Sequence, residues 1–308
     1  METPILRVRD LSLEYGKPAD HGILGILSRL IPASTSSSPC KHRALRSLSF
    51  DVMAGEILVI MGLSGSGKSS LLRCFNGLNG TGHGQGTLHG EIHLHAPPQD
   101  LALHKLDRKG WHLVRSQLIA MVFQQANLMP WRTVGENIAF PLELQHRPAD
   151  EVRSRVATQL ERVKLSAWCD RYPHELSGGM QQRVGLARAL ITDSPILLMD
   201  EPFSALDPLL RRQLQMDLLE LNRTLRKTIL FVSHDREEAL RLGRRIGIMK
   251  DGSLLQMGTP QQLLDAPEHP AVRDFLEDSP PSHTLISHQP EAVGIIQGFS
   301  SVSQLEGV

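Results

Sequence analysis

Apolar and polar positions along the chain sort into strand-like and helix-like stretches that alternate. Ile5 to Tyr15 alternates, with Leu6, Val8, Leu11 and Leu13 apolar, and reads as a half-buried strand. Ala44 to Val52 alternates again and breaks at Ala54-Gly55. Glu56 to Met61 is a near-continuous apolar run ending at a glycine, the pattern of a parallel strand buried on both faces. Leu71 to Leu78 continues with helical spacing, Gly77 to Gly90 is loop-like, and Thr87 to His95 alternates as a strand. Leu101 to Val114 reads as helical and Arg115 to Phe123 as a further strand. Ala149 to Leu165 is an amphipathic helix, and Ile196 to Met199 and Thr228 to Val232 are short apolar strands with helices on either side. Strands alternating with helices predict an α/β domain built on a parallel sheet.

Two stretches break this pattern. Residues 16–43 hold Gly22, Gly25, three prolines and the run Ser34-Thr35-Ser36-Ser37-Ser38, and are expected to be an insertion with a flexible end. Within it Ile23, Leu24, Ile26, Leu27, Leu30 and Ile31 can line a short amphipathic helix, packed on its own domain or offered to a partner. From Ser279 the chain is rich in Pro, Ser and Gln, so 279–308 is expected to be a poorly ordered tail after a domain spanning 1–278. No internal repeat is visible.

Charge narrows the picture. The 33 basic and 33 acidic side chains cancel, which argues against a dedicated nucleic-acid binder. No apolar run approaches the roughly 20 residues of a membrane helix. Met1 to Asp10 carries charges where a signal peptide needs an apolar core. Cys40, Cys74 and Cys169 are odd in number and far apart, so a disulfide framework is not expected, and Cys74 reads as a small core residue.

The strongest local signal is Gly62-Leu63-Ser64-Gly65-Ser66-Gly67-Lys68-Ser69, followed by Ser70, between a buried strand and a helix. Its glycines let backbone N–H groups converge on phosphate oxygens at the positive end of a helix. Lys68 adds a mobile charge for the β- and γ-phosphates, and the Ser69 hydroxyl suits Mg²⁺. Next, the strand Ile196 to Met199 ends in Asp200-Glu201. The first acid can hold Mg²⁺ and the second can act as general base on water. Last, Leu176-Ser177-Gly178-Gly179-Met180-Gln181-Gln182-Arg183 leads into a helix over Val184 to Leu190, a second anion-binding helix start. One nucleotide can use both starts only where they meet in space, within one chain or across a dimer.

Together these motifs resemble the ATP-binding subunit of an ATP-binding cassette (ABC) transporter, from about Ile5 to Asp278. The stretch 176–183 resembles the family signature, with Met180 where the family most often has Gln. The resemblance implies a P-loop NTPase cassette: a RecA-like core sheet, an antiparallel β subdomain, and an α-helical signature subdomain at about 125–190. It also implies ATP and Mg²⁺ as ligands and a head-to-tail homodimer, with each ATP held between one P-loop and the opposite Ser177, Gly178 and Gly179. Tyr15 matches an adenine-stacking aromatic, with a core or turn tyrosine as the plain alternative. Gln124 matches the glutamine that senses Mg²⁺ and links the site to membrane subunits. Asp207, in Ser204-Ala205-Leu206-Asp207, matches the loop coupling the two sites, and His234 matches the histidine at the γ-phosphate. With Glu201 present, hydrolysis is expected to be competent, with Glu201, His234 and Lys68 as the catalytic set.

Within the family, Ile60 to Cys74 and Glu175 to Ala189 resemble importers of glycine betaine, choline and related quaternary amines. About thirty residues follow Asp278, too few for the paired regulatory modules of many glycine-betaine members, so a choline-type member is expected. Trp131-Arg132-Thr133-Val134 instead resembles nitrate, sulfonate and taurine importers. The implied partners are integral membrane permease subunits and, indirectly, a solute-binding protein, with no nucleic acid. The implied place is peripheral, on the cytoplasmic face of the inner membrane. A non-transport ABC ATPase and a small-molecule P-loop kinase fit fewer of the motifs. Finally, His93 and His95 share a strand face with His89 and Glu91, opposite Ile92 and Leu94. A solvated face is preferred here to a metal site.

Overall fold

The computed structural model describes residues 3–16, 42–80, 86–204 and 206–277. The short helix expected at 23–31, most of the 16–43 insertion, Asp278 and the 279–308 tail lie outside the described residues. The described residues form two sheets. The smaller is antiparallel, in the order β2 (His42–Val52), β1 (Leu6–Tyr15), β4 (Thr87–Ala96), β5 (Gln99–Ala102). The larger has the order β10 (Ser253–Gly258), β9 (Arg245–Lys250), β3 (Ile57–Met61), β8 (Thr228–Ser233), β7 (Ile196–Asp200), β6 (Ile119–Val122). It is parallel except for β10.

The larger sheet is apolar on both faces because each face feeds a different core. Every residue of β3, β7 and β8 is buried. With side chains alternating, Leu58, Ile60, Leu198, Leu230 and Val232 join one cluster with the antiparallel sheet. Val59, Met61, Leu197, Met199 and Phe231 join a second, under α6 (Pro208–Leu225) and α7 (Arg236–Leu242). Cys74 lies in the first cluster, and burial pushes its thiol up to about 12, so it serves as an inert core residue. A third cluster is separate. It joins α3 (Val134–Leu144), α4 (Ala149–Arg162) and α5 (Gly178–Leu190), with Val134, Ile138, Leu160 and Val184 among its members.

Several boundaries differ from the sequence pattern. β2 starts at His42, inside the stretch 16–43 expected to be an insertion, and pairs there with Tyr15. The helix expected from Leu101 is split. Gln99–Ala102 is a strand on β4, and Asp107 then caps the short α2 (Arg108–Leu113) by accepting from Gly110 N–H at 2.8 Å. A four-residue strand is too short for its alternation to outweigh helical spacing. The strand expected from Arg115 begins at Ile119, because Val114–Leu118 continues α2 as a wide π-turn. α4 stops at Arg162, before a left-handed Lys164, while Leu165 still packs in the third cluster. α5 begins at Gly178 rather than Val184, so both signature glycines sit inside its first turn.

The entry to the helical cluster is fastened by one amide. Asn137 is fully buried, donates from Nδ2 to the carbonyls of Met129, Arg132 and Thr133, and accepts from Met129 N–H at 2.8 Å. Thr133 and Glu136 complete a reciprocal capping box at the start of α3. Asn137→Ala leaves several buried groups unpaired. It is expected to lower stability by about 1–3 kcal/mol in urea denaturation, and a smaller change would show that the loop is held by other contacts.

Candidate nucleotide site

The strand β3 ends at Met61 and α1 (Lys68–Phe75) begins seven residues later, with the glycine-rich loop between them. Gly62 and Gly67 are required by close approach. A Cβ at Gly62 would lie 2.3 Å from the Met249 carbonyl, and one at Gly67, where φ is +97°, would lie 2.6 Å from the Ala44 carbonyl. Gly65, at φ +82°, faces open space instead. The cap of α1 is Gly67, so no side chain answers the first N–H groups of this helix, whereas Asp107, Thr133, Ser177, Asp207, Asp235 and Thr259 each cap theirs. Inside the loop the Ser66 hydroxyl is buried without a partner, and Ser64 is exposed. Free N–H groups at a helix start, an orphaned hydroxyl and adjacent open space together suit an anion.

Lys68 is the cation of this loop and is nearly fully buried. Its ammonium donates to the carbonyls of Gly62 at 2.8 Å and Leu63 at 3.0 Å and lies 3.9 Å from Glu201. Burial lowers its pKa, opposed by the carboxylates of Glu201 and Asp200. Ser69 donates to Asp200 at 2.7 Å. Burial raises the Asp200 carboxyl, and the Ser69 hydrogen bond pulls it back. The two oxygens form a hard pair suited to Mg²⁺. Beside them the half-buried Tyr15 donates from its hydroxyl to Ser70 at 3.3 Å, which sets its ring next to the loop.

Glu201 follows β7 in the left-handed region, at φ +45°, with its N–H bonded to the Val232 carbonyl. That turn brings its carboxylate to His234 Nδ1 at 2.9 Å. Gln124 donates to Ser204 at 3.2 Å, and Ser204 donates to the Glu201 carbonyl at 3.0 Å. Loop, Lys68, Ser69, Asp200, Glu201, His234 and Gln124 thus meet at the carboxyl ends of β3, β6, β7 and β8.

A supporting layer beneath His234 was not anticipated from the sequence. Ser233 donates to buried Glu238, Gln215 donates to Glu238 at 3.0 Å, and Arg241 holds Gln215 at 2.7 Å. Asp235 caps α7 and pairs with Arg211 at 3.1 Å. The available signal was Asp235 three residues before Glu238, an N-cap spacing at a strand end.

Ser177, Gly178, Gly179 and Asp207 form a second group. Ser177 accepts from Met180 N–H at 3.4 Å, and Asp207 accepts from Leu210 N–H at 3.0 Å. Gly179 is seated against Leu210, where a Cβ would lie 2.0 Å from the leucine side chain, while Gly178 is exposed and faces open space. α5 packs on β6, three strands from β3 in the sheet, roughly 14 Å away. Among the described residues no hydrogen bond joins this group to the loop at 62–69.

Comparison with known proteins decides the family. Residues 45–204 match the family described as ABC transporter. A further match, to an AAA domain described as putative AbiEii toxin of a type IV toxin–antitoxin system, covers 169–240. The glycine betaine transport ATP-binding protein of Bacillus subtilis is 41% identical over 96% of this chain and 70% of its own length. This chain belongs to the ABC transporter family. The trimethylamine N-oxide transport ATP-binding protein of Ruegeria pomeroyi is 41% identical over 90% of this chain and 78% of its own. The glycine betaine/carnitine transport ATP-binding protein of Listeria monocytogenes is 47% identical over 89% of this chain and 66% of its own. A solved ABC cassette, dimeric in a post-hydrolysis state with ADP and phosphate, superposes with a TM-score of 0.66 at 30% identity, over 83% of this chain and 98% of its own. The expected P-loop NTPase cassette fold and ATPase class therefore stand. No helix among the described residues is long and apolar enough to cross a membrane.

Burial raises the carboxyls of Glu238, Asp200 and Glu56. The folded state then holds more protons than the unfolded one above the ordinary carboxylate range, so stability falls as pH rises through the raised values. Glu238→Gln is expected to flatten this slope without abolishing it, because Asp200 and Glu56 act in the same direction. Urea midpoints across a pH series check this, and an unchanged slope would remove Glu238 from the account.

Proposed function

We propose that this ABC ATPase drives the import of a methylated amine of the glycine betaine type, as a homodimer bound to integral membrane permease subunits on the cytoplasmic face of the membrane, with a solute-binding protein delivering the substrate. The observation that carries the solute class is similarity, over nine-tenths or so of the chain, to proteins named for glycine betaine and trimethylamine N-oxide transport. None of those names is a taurine or nitrate importer, and Trp131 of the Trp-Arg-Thr-Val stretch is simply exposed.

In this reading the N–H groups of Gly65, Gly67, Lys68, Ser69 and Ser70, with Ser64 and Ser66, cradle the phosphates of ATP, and Tyr15 stacks on the base. Lys68 exchanges its Gly62 and Leu63 carbonyls for phosphate oxygens. Ser69 and Asp200, with Gln124 behind them, would hold Mg²⁺, which would neutralise phosphate charge. Glu201 orients and deprotonates the attacking water, and His234, steadied by Glu201 and the layer below it, reaches the γ-phosphate. Exposed Ser177 and Gly178, with Gly179 and Asp207, close on the ATP of the opposite subunit. The helical cluster following Gln124 offers the surface by which closure moves the permease.

Glu201→Gln is expected to keep ATP binding and to dimerise on ATP, with turnover lower by on the order of 10²–10⁴. Rapid turnover by this variant would overturn the base assignment. Lys68→Ala is expected to lose nucleotide binding in equilibrium titration, and full activity there would overturn the site. With the cognate permease and binding protein in proteoliposomes, ATP should drive uptake of glycine betaine, assayed beside choline and taurine. Uptake of taurine alone would move the protein to a different solute class.

A further inference from the structure

The antiparallel sheet carries side chains that nucleotide chemistry leaves unused. Ile92 and Leu94 of β4 are fully buried, so Glu91, His93 and His95 project from the opposite face, as the alternation requires. The single turn of 3₁₀-helix after β5 brings His104 to the same place, with its ring centroid 5.4 Å from that of His93. We propose that Glu91, His93 and His104 form a binding site for a divalent transition-metal cation, zinc in the first instance, separate from the nucleotide site.

Three observations carry it. The ligand atoms of these residues lie within 4.8 Å of one another, and His93 Nε2 is 3.2 Å from Glu91 Oε2. Tetrahedral zinc with bonds of about 2.0–2.2 Å sets neighbouring ligands roughly 3.4 Å apart, so one edge is already in place and the third ligand has about 1.4 Å at most left to close. Second, His104 Nε2 is shut off from solvent and has no hydrogen-bond partner. The Ile92 N–H donates to its Nδ1 at 3.2 Å, and the Ile92 carbonyl lies 3.4 Å from the same nitrogen. A metal at Nε2 takes the tautomer in which Nδ1 donates to the Ile92 carbonyl instead of accepting from its N–H, the arrangement that orients a metal-bound histidine. Third, the donor set of two imidazoles and one carboxylate is one that zinc takes, with water in the fourth position.

The neighbouring charges permit it. Arg7 and Arg9 pair with His93 and Glu91 across the sheet, but Asp51 engages both, at 3.7 Å and 2.8 Å. His93, His104 and Lys105 hold the Glu91 carboxyl below its ordinary value, so it is ionised as a ligand must be. His95, the partner that strand periodicity suggests, is bound instead to Asp100 at 2.9 Å. The site lies along β1 from Tyr15 by eight residues, roughly 26 Å, so metal there does not reach the nucleotide.

The test uses the full chain, free of any polyhistidine tag, stripped with chelator and kept without nucleotide. Zinc is titrated calorimetrically and against a chromophoric chelator. The wild type is expected to bind one equivalent at micromolar or lower concentration. His93→Ala, His104→Ala and Glu91→Gln are each expected to weaken it by more than about tenfold, while keeping Mg²⁺-dependent ATP turnover, which shows that they fold. His89→Ala, on the same strand face, serves as the control and is expected to bind as the wild type does. Absence of wild-type binding, wild-type affinity in the three variants, or equal weakening by His89→Ala would each overturn the site.

Discussion

Burial of β3, β7 and β8 on both faces is the constraint from which the rest follows. A strand with water on neither side has to place its polar chemistry at an end, and all three do so at the same end. β3 runs into the loop that Lys68 closes, β7 into Asp200 and Glu201, and β8 into Ser233 and His234. Their parallel registers hold these ends level, with Met61 opposite Ser233 and Asp200 opposite Val232. The site is therefore a rim of polar groups on an apolar slab, set by the hydrophobic effect before any hydrogen bond is formed.

On that rim, rigidity and freedom are divided. His234 rests on a layer of Ser233, Glu238, Gln215 and Arg241 that is fully engaged in hydrogen bonds. Such a layer fixes the ring through its neighbours and makes a small displacement costly. Lys68 donates to carbonyls of its own loop, partners it can exchange for phosphate oxygens, and faces Glu201 at 3.9 Å. The signature group stands on α5 and the start of α6, apart from the loop.

Much of this was legible in the sequence, and the reasons differ by element. The buried strands were readable because a doubly buried run has no polar alternation to confuse it. The loop at 62–69 was readable because its glycines answer specific backbone demands, as Gly62 against Met249 shows. Gln99–Ala102 was not, because its only strand signal is a partner, β4, that local spacing cannot reveal. Glu238 was missed because a buried carboxylate looks like any surface acid until Ser233 and Gln215 are seen around it. His104 was missed because it reaches Glu91 and His93 through a strand and a turn, with no regular spacing between them.

One cap has a further meaning. α2, α6 and α7 begin with Asp107, Asp207 and Asp235, whose carboxylates answer those helix starts with a charge of their own. α5 begins with Ser177. A carboxylate can only accept, whereas a hydroxyl accepts from the backbone and still has a proton to give. Exchanging Ser177 for aspartate would therefore preserve the helix and reverse its preference for charge. The choice between two equally good caps decides which helix starts repel a phosphate and which remain open to one.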